Sequence, residues 1–174
     1  YTGVRGTPEA PGAVGLSNLG NTCFMNSMLQ CLSHTVPLRD YFLSGRYEAD
    51  INRTNPIGTG GRFAEVFAAF LKEMWSGEIV CVRPTALKHE IGKLKAEFAG
   101  YQQQDSHELF QAIVDALHED LNRVKKKPYV PNVEDEGRSD KIVAVESWQA
   151  FLKRNDSFFT DTMYGLLKSR VTCP

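Results

Sequence analysis

Gly15-Leu16-Ser17-Asn18-Leu19-Gly20-Asn21-Thr22-Cys23-Phe24-Met25-Asn26-Ser27-Met28-Leu29-Gln30-Cys31-Leu32 runs from a small-residue, polar turn straight into an apolar repeat, with a cysteine at the junction. Phe24, Met28 and Leu32 recur at spacings of four with Met25 and Leu29 beside them, the pattern of a helix that buries one face. Asn21 or Thr22 is then the N-cap, and either choice puts Cys23 in the first turn. Unpaired N–H groups and the positive end of the helix dipole favour an anion there, and a thiolate is such an anion. A helix N-terminus can lower a cysteine pKa from about 8.5 to roughly 3.5–7.5, and the thiolate is the reactive form. Asn18, five residues earlier, carries an amide NH2 that could face a developing oxyanion. The local pattern also fits a small buried hydrophobe at Cys23 and a plain turn residue at Asn18. Cys31 lies inside the apolar run with no turn before it and is expected in the core.

Outward from this stretch, composition sets limits. The chain has 174 residues, 42% of them hydrophobic, enough to bury a core as one domain or a large piece of one. A net charge of −1, with the basic residues dispersed except at Lys125-Lys126-Lys127, gives no electrostatic case for nucleic acid. No apolar run approaches the ~18 residues of a membrane span, and residues 1–14 lack the pattern of a signal peptide. Cys23, Cys31, Cys81 and Cys173 form no Cys-x-x-Cys pair and are read as free thiols. The expectation is a soluble intracellular protein, cytoplasmic and/or nuclear, with no membrane or nucleic-acid partner.

Residues 1–14 hold three glycines and two prolines and are expected to be an extended lead-in. Pro37 stops the first helical pattern, and Leu38, Tyr41, Phe42 and Tyr47 suggest a short helix or turn packing back on it. Residues 52–61 read as a loop. Phe63, Val66, Phe67, Phe70, Leu71 and Met74 form the clearest amphipathic helix. Pro84 is placed as the first residue of another helix, with Leu87, Ile91 and Leu94 on one face. The second informative stretch is Tyr101-Gln102-Gln103-Gln104-Asp105-Ser106-His107-Glu108-Leu109-Phe110, followed at helical spacing by Ile113, Val114, Leu117, Leu121 and Val124. Asp105 and Glu108 make an acidic variant of a capping box, and Lys125-Lys126-Lys127 would meet the negative end of the helix before Pro128. Three consecutive glutamines are not needed for capping. Residues 129–140 read as a surface loop, Val145, Trp148, Phe151 and Leu152 as one more helix, and the alternation from Gly165 to Cys173 as a strand.

Gly-Leu-Ser-Asn-Leu-Gly-Asn-Thr-Cys-Phe-Met-Asn-Ser resembles the cysteine box of the ubiquitin-specific proteases, and Gln-Gln-Asp-Ser-His-Glu-Leu resembles the same family's second signature. The resemblance runs over roughly residues 14–174. It implies a thiol-dependent deubiquitinase with Cys23 as nucleophile and Asn18 as an oxyanion-hole donor. Asp105, with Gln103 nearby, would hold the extended C-terminal tail of ubiquitin. The implied fold is mainly α, the helical thumb-like part of a papain-like cysteine protease fold that is α+β when complete. Residues 15–174 would be the N-terminal portion of the catalytic domain, ending where the family's zinc-finger region begins. The resemblance makes Cys173 the first of four zinc ligands. One thiolate cannot hold a structural zinc, so these 174 residues by themselves are read as metal-free, with no cofactor for catalysis. Asn52-Arg53-Thr54-Asn55-Pro56-Ile57-Gly58 and His118-Glu119-Asp120-Leu121-Asn122-Arg123-Val124 look like the subgroup whose catalytic domain is interrupted near the zinc region.

A cysteine nucleophile needs a base within reach of its proton, normally a histidine oriented by Asp or Asn. His34 is eleven residues beyond Cys23, roughly 16 Å along a continuous helix, and cannot reach. His107 and His118 are eleven apart on one helix, so at most one could approach, and His89 sits on a charged face. None lies in anything resembling the family's histidine box. The base is therefore expected from the remaining half of the catalytic domain. Two other readings compete with an enzyme: a module that grips ubiquitin without cutting it, and a helical scaffold with a buried cysteine.

Overall fold

The computed structural model describes residues 3–135 and 137–172. After a short strand β1 (Val4–Arg5) and a second, β2 (Gly15–Leu16), the chain enters helices α1 (Cys23–His34), α2 (Val36–Leu43), α3 (Tyr47–Asp50) and α4 (Arg62–Met74). Strand β3 (Ile79–Val82) leads to α5 (Thr85–Leu94), a single 3-10 turn at Ala96–Phe98, then α6 (Ser106–Asp120), α7 (Asp140–Leu152) and α8 (Phe158–Thr162). The fold is mainly α with one small three-stranded sheet in the order β1-β3-β2, β3 antiparallel to β1 and parallel to β2. No helix among the described residues is long and apolar enough to cross a membrane.

The phenylalanine stripe organises the core. Phe63, Phe67, Phe70, Leu71 and Met74 of α4 are buried, and α4 packs on α2, α5, α6 and β3. Phe42 of α2 meets Phe67 edge-on with centroids 5.1 Å apart, the offset geometry that aromatic pairs prefer. Helix α1 buries Met25, Leu29 and Leu32 against α2 and α6. Cys31 is exposed, contrary to the core position expected for it. It stands two residues, about 200° of helical rotation, from the inward-facing Leu29, on the opposite side of the helix.

A buried polar knot fixes α4 against α6. The N-cap position of α4, Gly61, has φ 89° and offers no side chain. Asp120, fully buried at the last turn of α6, supplies the cap instead: its carboxylate accepts from Thr59 N and Oγ1 (both 2.6 Å), Phe63 N (3.1 Å) and Ala64 N (3.2 Å). Asn52 Nδ2 donates to the Asn122 carbonyl at 2.7 Å, and Asn55 Nδ2 to the Glu119 carbonyl at 2.8 Å. The two weaker resemblance stretches, 52–58 and 118–124, are thus the two halves of one structural junction.

Several expected boundaries shift. Pro84 occupies the N-cap position of α5 and not its first residue. Helix α6 ends at Asp120 because Asn122 turns its side chain to the N–H groups of Val124 (3.0 Å) and Asp156 (3.2 Å), the local competition that stops asparagine in helices. Lys127 therefore pairs with Glu119 at 2.8 Å and does not compensate the helix end. The lead-in includes a strand, β1, whose partner β3 was not foreseen. The strand expected from Gly165 to Cys173 is absent over residues 165–172, where Leu167 and Val171 are 100% and 90% exposed. Alternation makes a strand only where a neighbouring strand completes its hydrogen bonds, and among the described residues none lies alongside. Cys173 lies outside the described residues.

Candidate active site

Cys23 opens α1 and is exposed, with Thr22 in the N-cap position. The Thr22 hydroxyl does not cap the helix. It accepts from Leu19 N at 2.9 Å and donates to Asn18 Oδ1 at 3.2 Å. Asn18 Oδ1 also accepts from the backbone N–H groups of Gly20 (2.9 Å) and Thr22 (3.1 Å), so one amide oxygen closes the whole turn before the cysteine. This fixes the orientation of the amide: Oδ1 faces into the turn, and the Nδ2 group, with no hydrogen-bond partner among the described residues, is left for another acceptor. Asn26, one helical turn after Cys23, fastens the same loop from behind by donating to the carbonyls of Leu16 (3.3 Å) and Ser17 (3.2 Å).

The glutamine stretch lies across from this turn. Cys23 Sγ is 3.8 Å from Gln103 Oε1, a weak thiol-to-amide contact between residues eighty apart in the chain. Asn21, at φ 51°, donates from Nδ2 to the Tyr101 carbonyl at 2.9 Å. Asp105 is the N-cap of α6, its carboxylate accepting from His107 N at 2.6 Å and, more loosely, from Glu108 N at 3.4 Å. Capping leaves Asp105 exposed, two residues after Gln103, whose side chain meets Cys23 across from it. Lys88 of α5 supports the segment from behind, donating to the carbonyls of Phe98 and of Gly100 (3.0 Å), and burial pushes its ammonium pKa down. Phe24 stacks on the buried Phe98 with centroids 6.4 Å apart, joining α1 to the same region.

Cys23, Asn18, Gln103 and Asp105 therefore belong to one surface at the facing starts of α1 and α6. No histidine joins them by a hydrogen bond among the described residues. His118 is buried, its Nδ1 2.7 Å from Ser157 Oγ and Nε2 3.2 Å from Asn155 Oδ1, and so holds α6 to the loop before α8. His34 bonds the Gln30 carbonyl through Nδ1 at 2.9 Å and packs on Trp75. His107 and His89 are exposed. Among the described residues no group of three or more His, Cys, Asp or Glu could hold a metal ion. Sequence reasoning missed the Asn21–Tyr101 contact. Its only signal was an asparagine after a glycine, a pair that tolerates positive φ, and that says nothing about a partner eighty residues away.

The family model described as "Ubiquitin carboxyl-terminal hydrolase" matches residues 14–174, nearly the whole chain. The chain belongs to the ubiquitin carboxyl-terminal hydrolase family. It is 56% identical over 168 residues to ubiquitin carboxyl-terminal hydrolase 4 of Bos taurus and 52% identical over 166 residues to ubiquitin carboxyl-terminal hydrolase 15 of Homo sapiens. These matches cover 97% and 95% of this chain but 17% of each relative, so the chain spans about a sixth of the length of those proteins. A similar solved structure is the SAGA DUB module Ubp8/Sgf11/Sus1/Sgf73 bound to monoubiquitin, at 26% identity and a TM-score of 0.52 over 67% of this chain and 26% of that one. The same module bound to ubiquitin aldehyde gives 27% identity and a TM-score of 0.51.

Proposed function

We propose that these residues form the helical, thumb-like portion of a papain-like cysteine protease domain, with residues 1–14 as a lead-in. On this reading the protein hydrolyses the peptide or isopeptide bond after the C-terminal glycine of ubiquitin. The observation that carries it is the pairing of an exposed Cys23 at a helix start with an Asn18 amide whose oxygen is consumed by the turn and whose NH2 is free. Cys23 Sγ attacks the scissile carbonyl carbon, and Asn18 Nδ2 donates to the oxyanion that forms. As the tetrahedral intermediate collapses, the C–N bond breaks and the amine leaves with a proton. Water then hydrolyses the thioester, returning the thiol and a free carboxylate. The imidazole that carries the protons, with its orienting Asp or Asn, comes from outside these 174 residues. The exposed Asp105 and Gln103 hold the extended tail by accepting and donating backbone hydrogen bonds. Catalysis needs no cofactor. A structural zinc belongs to the complete domain with Cys173 as one ligand, and no step depends on it. Four cysteines with no Cys-x-x-Cys pair or dense disulfide-type spacing fit a reducing compartment, cytoplasmic and/or nuclear.

The test is cleavage of a fluorogenic ubiquitin C-terminal amide by the full-length gene product, expected to be abolished by Cys23→Ala. Because no imidazole meets Cys23 among the described residues, a second reading is retained, a module that binds ubiquitin without turnover. Calorimetric binding of ubiquitin with no cleavage by the full-length product would select it.

A further inference from the structure

Two loops face each other at the cysteine, and what ties them together is an uncommon residue. Asn21 is the only non-glycine residue with positive φ among the described residues. That backbone conformation costs most side chains but suits asparagine. Its amide donates to the Tyr101 carbonyl at 2.9 Å, while the neighbouring Gly20, at φ 108°, lies so close under the Tyr101 ring that a Cβ there would sit 3.0 Å from Cδ1.

The facing segment, residues 97–104, has little regular structure, and side chains hold its carbonyls one after another. Gln104 Nε2 donates to Glu97 O at 3.2 Å, Lys88 to Phe98 O and Gly100 O, and Asn21 to Tyr101 O. Three of these four contacts fasten the segment to itself or to α5. The fourth, from Asn21, fastens it to the turn that carries Asn18 and Cys23, two residues before Gln103, whose Oε1 meets the Cys23 thiol only weakly at 3.8 Å. Phe24 on the buried Phe98 joins the same two parts lower down and leaves the exposed rim to the Asn21 hydrogen bond and the weak Cys23–Gln103 contact.

We propose that Asn21 is a positioning residue that clasps the cysteine turn to the glutamine segment and so sets the width of the slot in which an extended substrate tail must lie. The proposal rests on the protease reading above. A tail held by Gln103 and Asp105 on one wall presents its carbonyl to Cys23 and Asn18 on the other, so a change in wall separation misplaces the carbonyl without touching any group that reacts. Displacements of about 1 Å can cost up to ~100-fold in rate. The clasp has no bearing on a small electrophile, which needs only the thiol.

The experiment uses the full-length gene product as wild type, Asn21→Gly and Asn21→Asp. Glycine keeps the positive φ and removes the amide. Aspartate also tolerates that backbone and replaces the donor with an acceptor facing the Tyr101 carbonyl. Two rates are measured at Cys23 by mass spectrometry: labelling by ubiquitin bearing a C-terminal vinyl methyl ester, and alkylation by iodoacetamide. In both variants the ubiquitin probe is expected to react about tenfold more slowly, the equivalent of one lost hydrogen bond, while iodoacetamide reacts within about twofold of wild type. Probe rates equal to wild type in both variants overturn the proposal, as does a parallel fall in both rates, which marks collapse of the turn. A wild type that iodoacetamide modifies but the probe does not overturns the protease reading itself, and the clasp with it.

Discussion

Removal of the Asp120 carboxylate should be the most costly single change in the core that leaves the apolar packing intact. In Asp120→Ala the N–H groups of Thr59 and Ala64 lose their acceptor, while Phe63 N keeps Thr59 Oγ1 at 2.8 Å. A buried donor left unmade at Ala64 N, at about 1–3 kcal/mol, a part-buried one at Thr59 N, at about 1 kcal/mol, and an anion removed from a helix N-terminus, at about 0.5–1 kcal/mol, give a loss of about 2.5–5 kcal/mol. That is a large share of the 5–15 kcal/mol typical of a domain and corresponds to a fall of roughly 10 °C in Tm for this chain length. Asp120→Asn keeps one oxygen and the shape but turns a donor toward a donor, and should lose about half as much. Urea denaturation of the 174-residue chain followed by far-UV circular dichroism measures both, with an unchanged m-value showing that the unfolded state is unaltered. An alanine variant within about 1 kcal/mol of wild type would mean that Asp120 does not cap α4.

Asn18→Asp retains an oxygen for Gly20 N and Thr22 N but loses the NH2, so cleavage of the fluorogenic ubiquitin amide should fall about 10²–10³-fold with the fold unchanged by circular dichroism; a loss under threefold would remove Asn18 from the oxyanion site. Burial works to raise the Glu90 carboxyl, but hydrogen bonds from Arg62 (2.9 Å) and Lys93 (3.0 Å) outweigh it and hold the group below its ordinary value. A depressed pKa in the folded state stabilises above the unfolded value and is lost as pH falls through the folded one, so stability should decline below about pH 4.5. Glu90→Gln should be less stable at pH 7 and show a flatter acid limb in denaturation midpoints; an identical slope in both proteins would refute this.

Periodicity made the helices legible because each buries a stripe of its own. Phe63 to Met74 and Leu109 to Leu117 declare themselves at helical spacing, and the cap at Asp105 follows from one residue and the apolar run after it. What failed depended on distant partners. Strand β3 is four residues long and takes its hydrogen bonds from Val4–Arg5 and Gly15–Leu16, far away in the chain. The 165–172 segment shows the converse, strand-like in pattern and without a neighbouring strand among the described residues. The cap of α4 arrives from Asp120, fifty-nine residues after Gly61, where no local reading could place it. At the site, Cys23 and Asn18 were legible because one turn holds both, and Asp105 because it also caps a helix. That Gln103 faces the thiol needed the packing of α1 on α6.

Cys23 is the claim on which the rest depends, and the exposed Cys31, about two turns further along the same helix, makes a stringent internal comparison. The deciding measurement is mass-spectrometric mapping of the adduct that ubiquitin with a C-terminal electrophile forms on the full-length gene product. The account predicts a single adduct on the Cys23 peptide, lost in Cys23→Ala and unchanged in Cys31→Ala. An adduct that persists in Cys23→Ala, or that maps to Cys31, would contradict it.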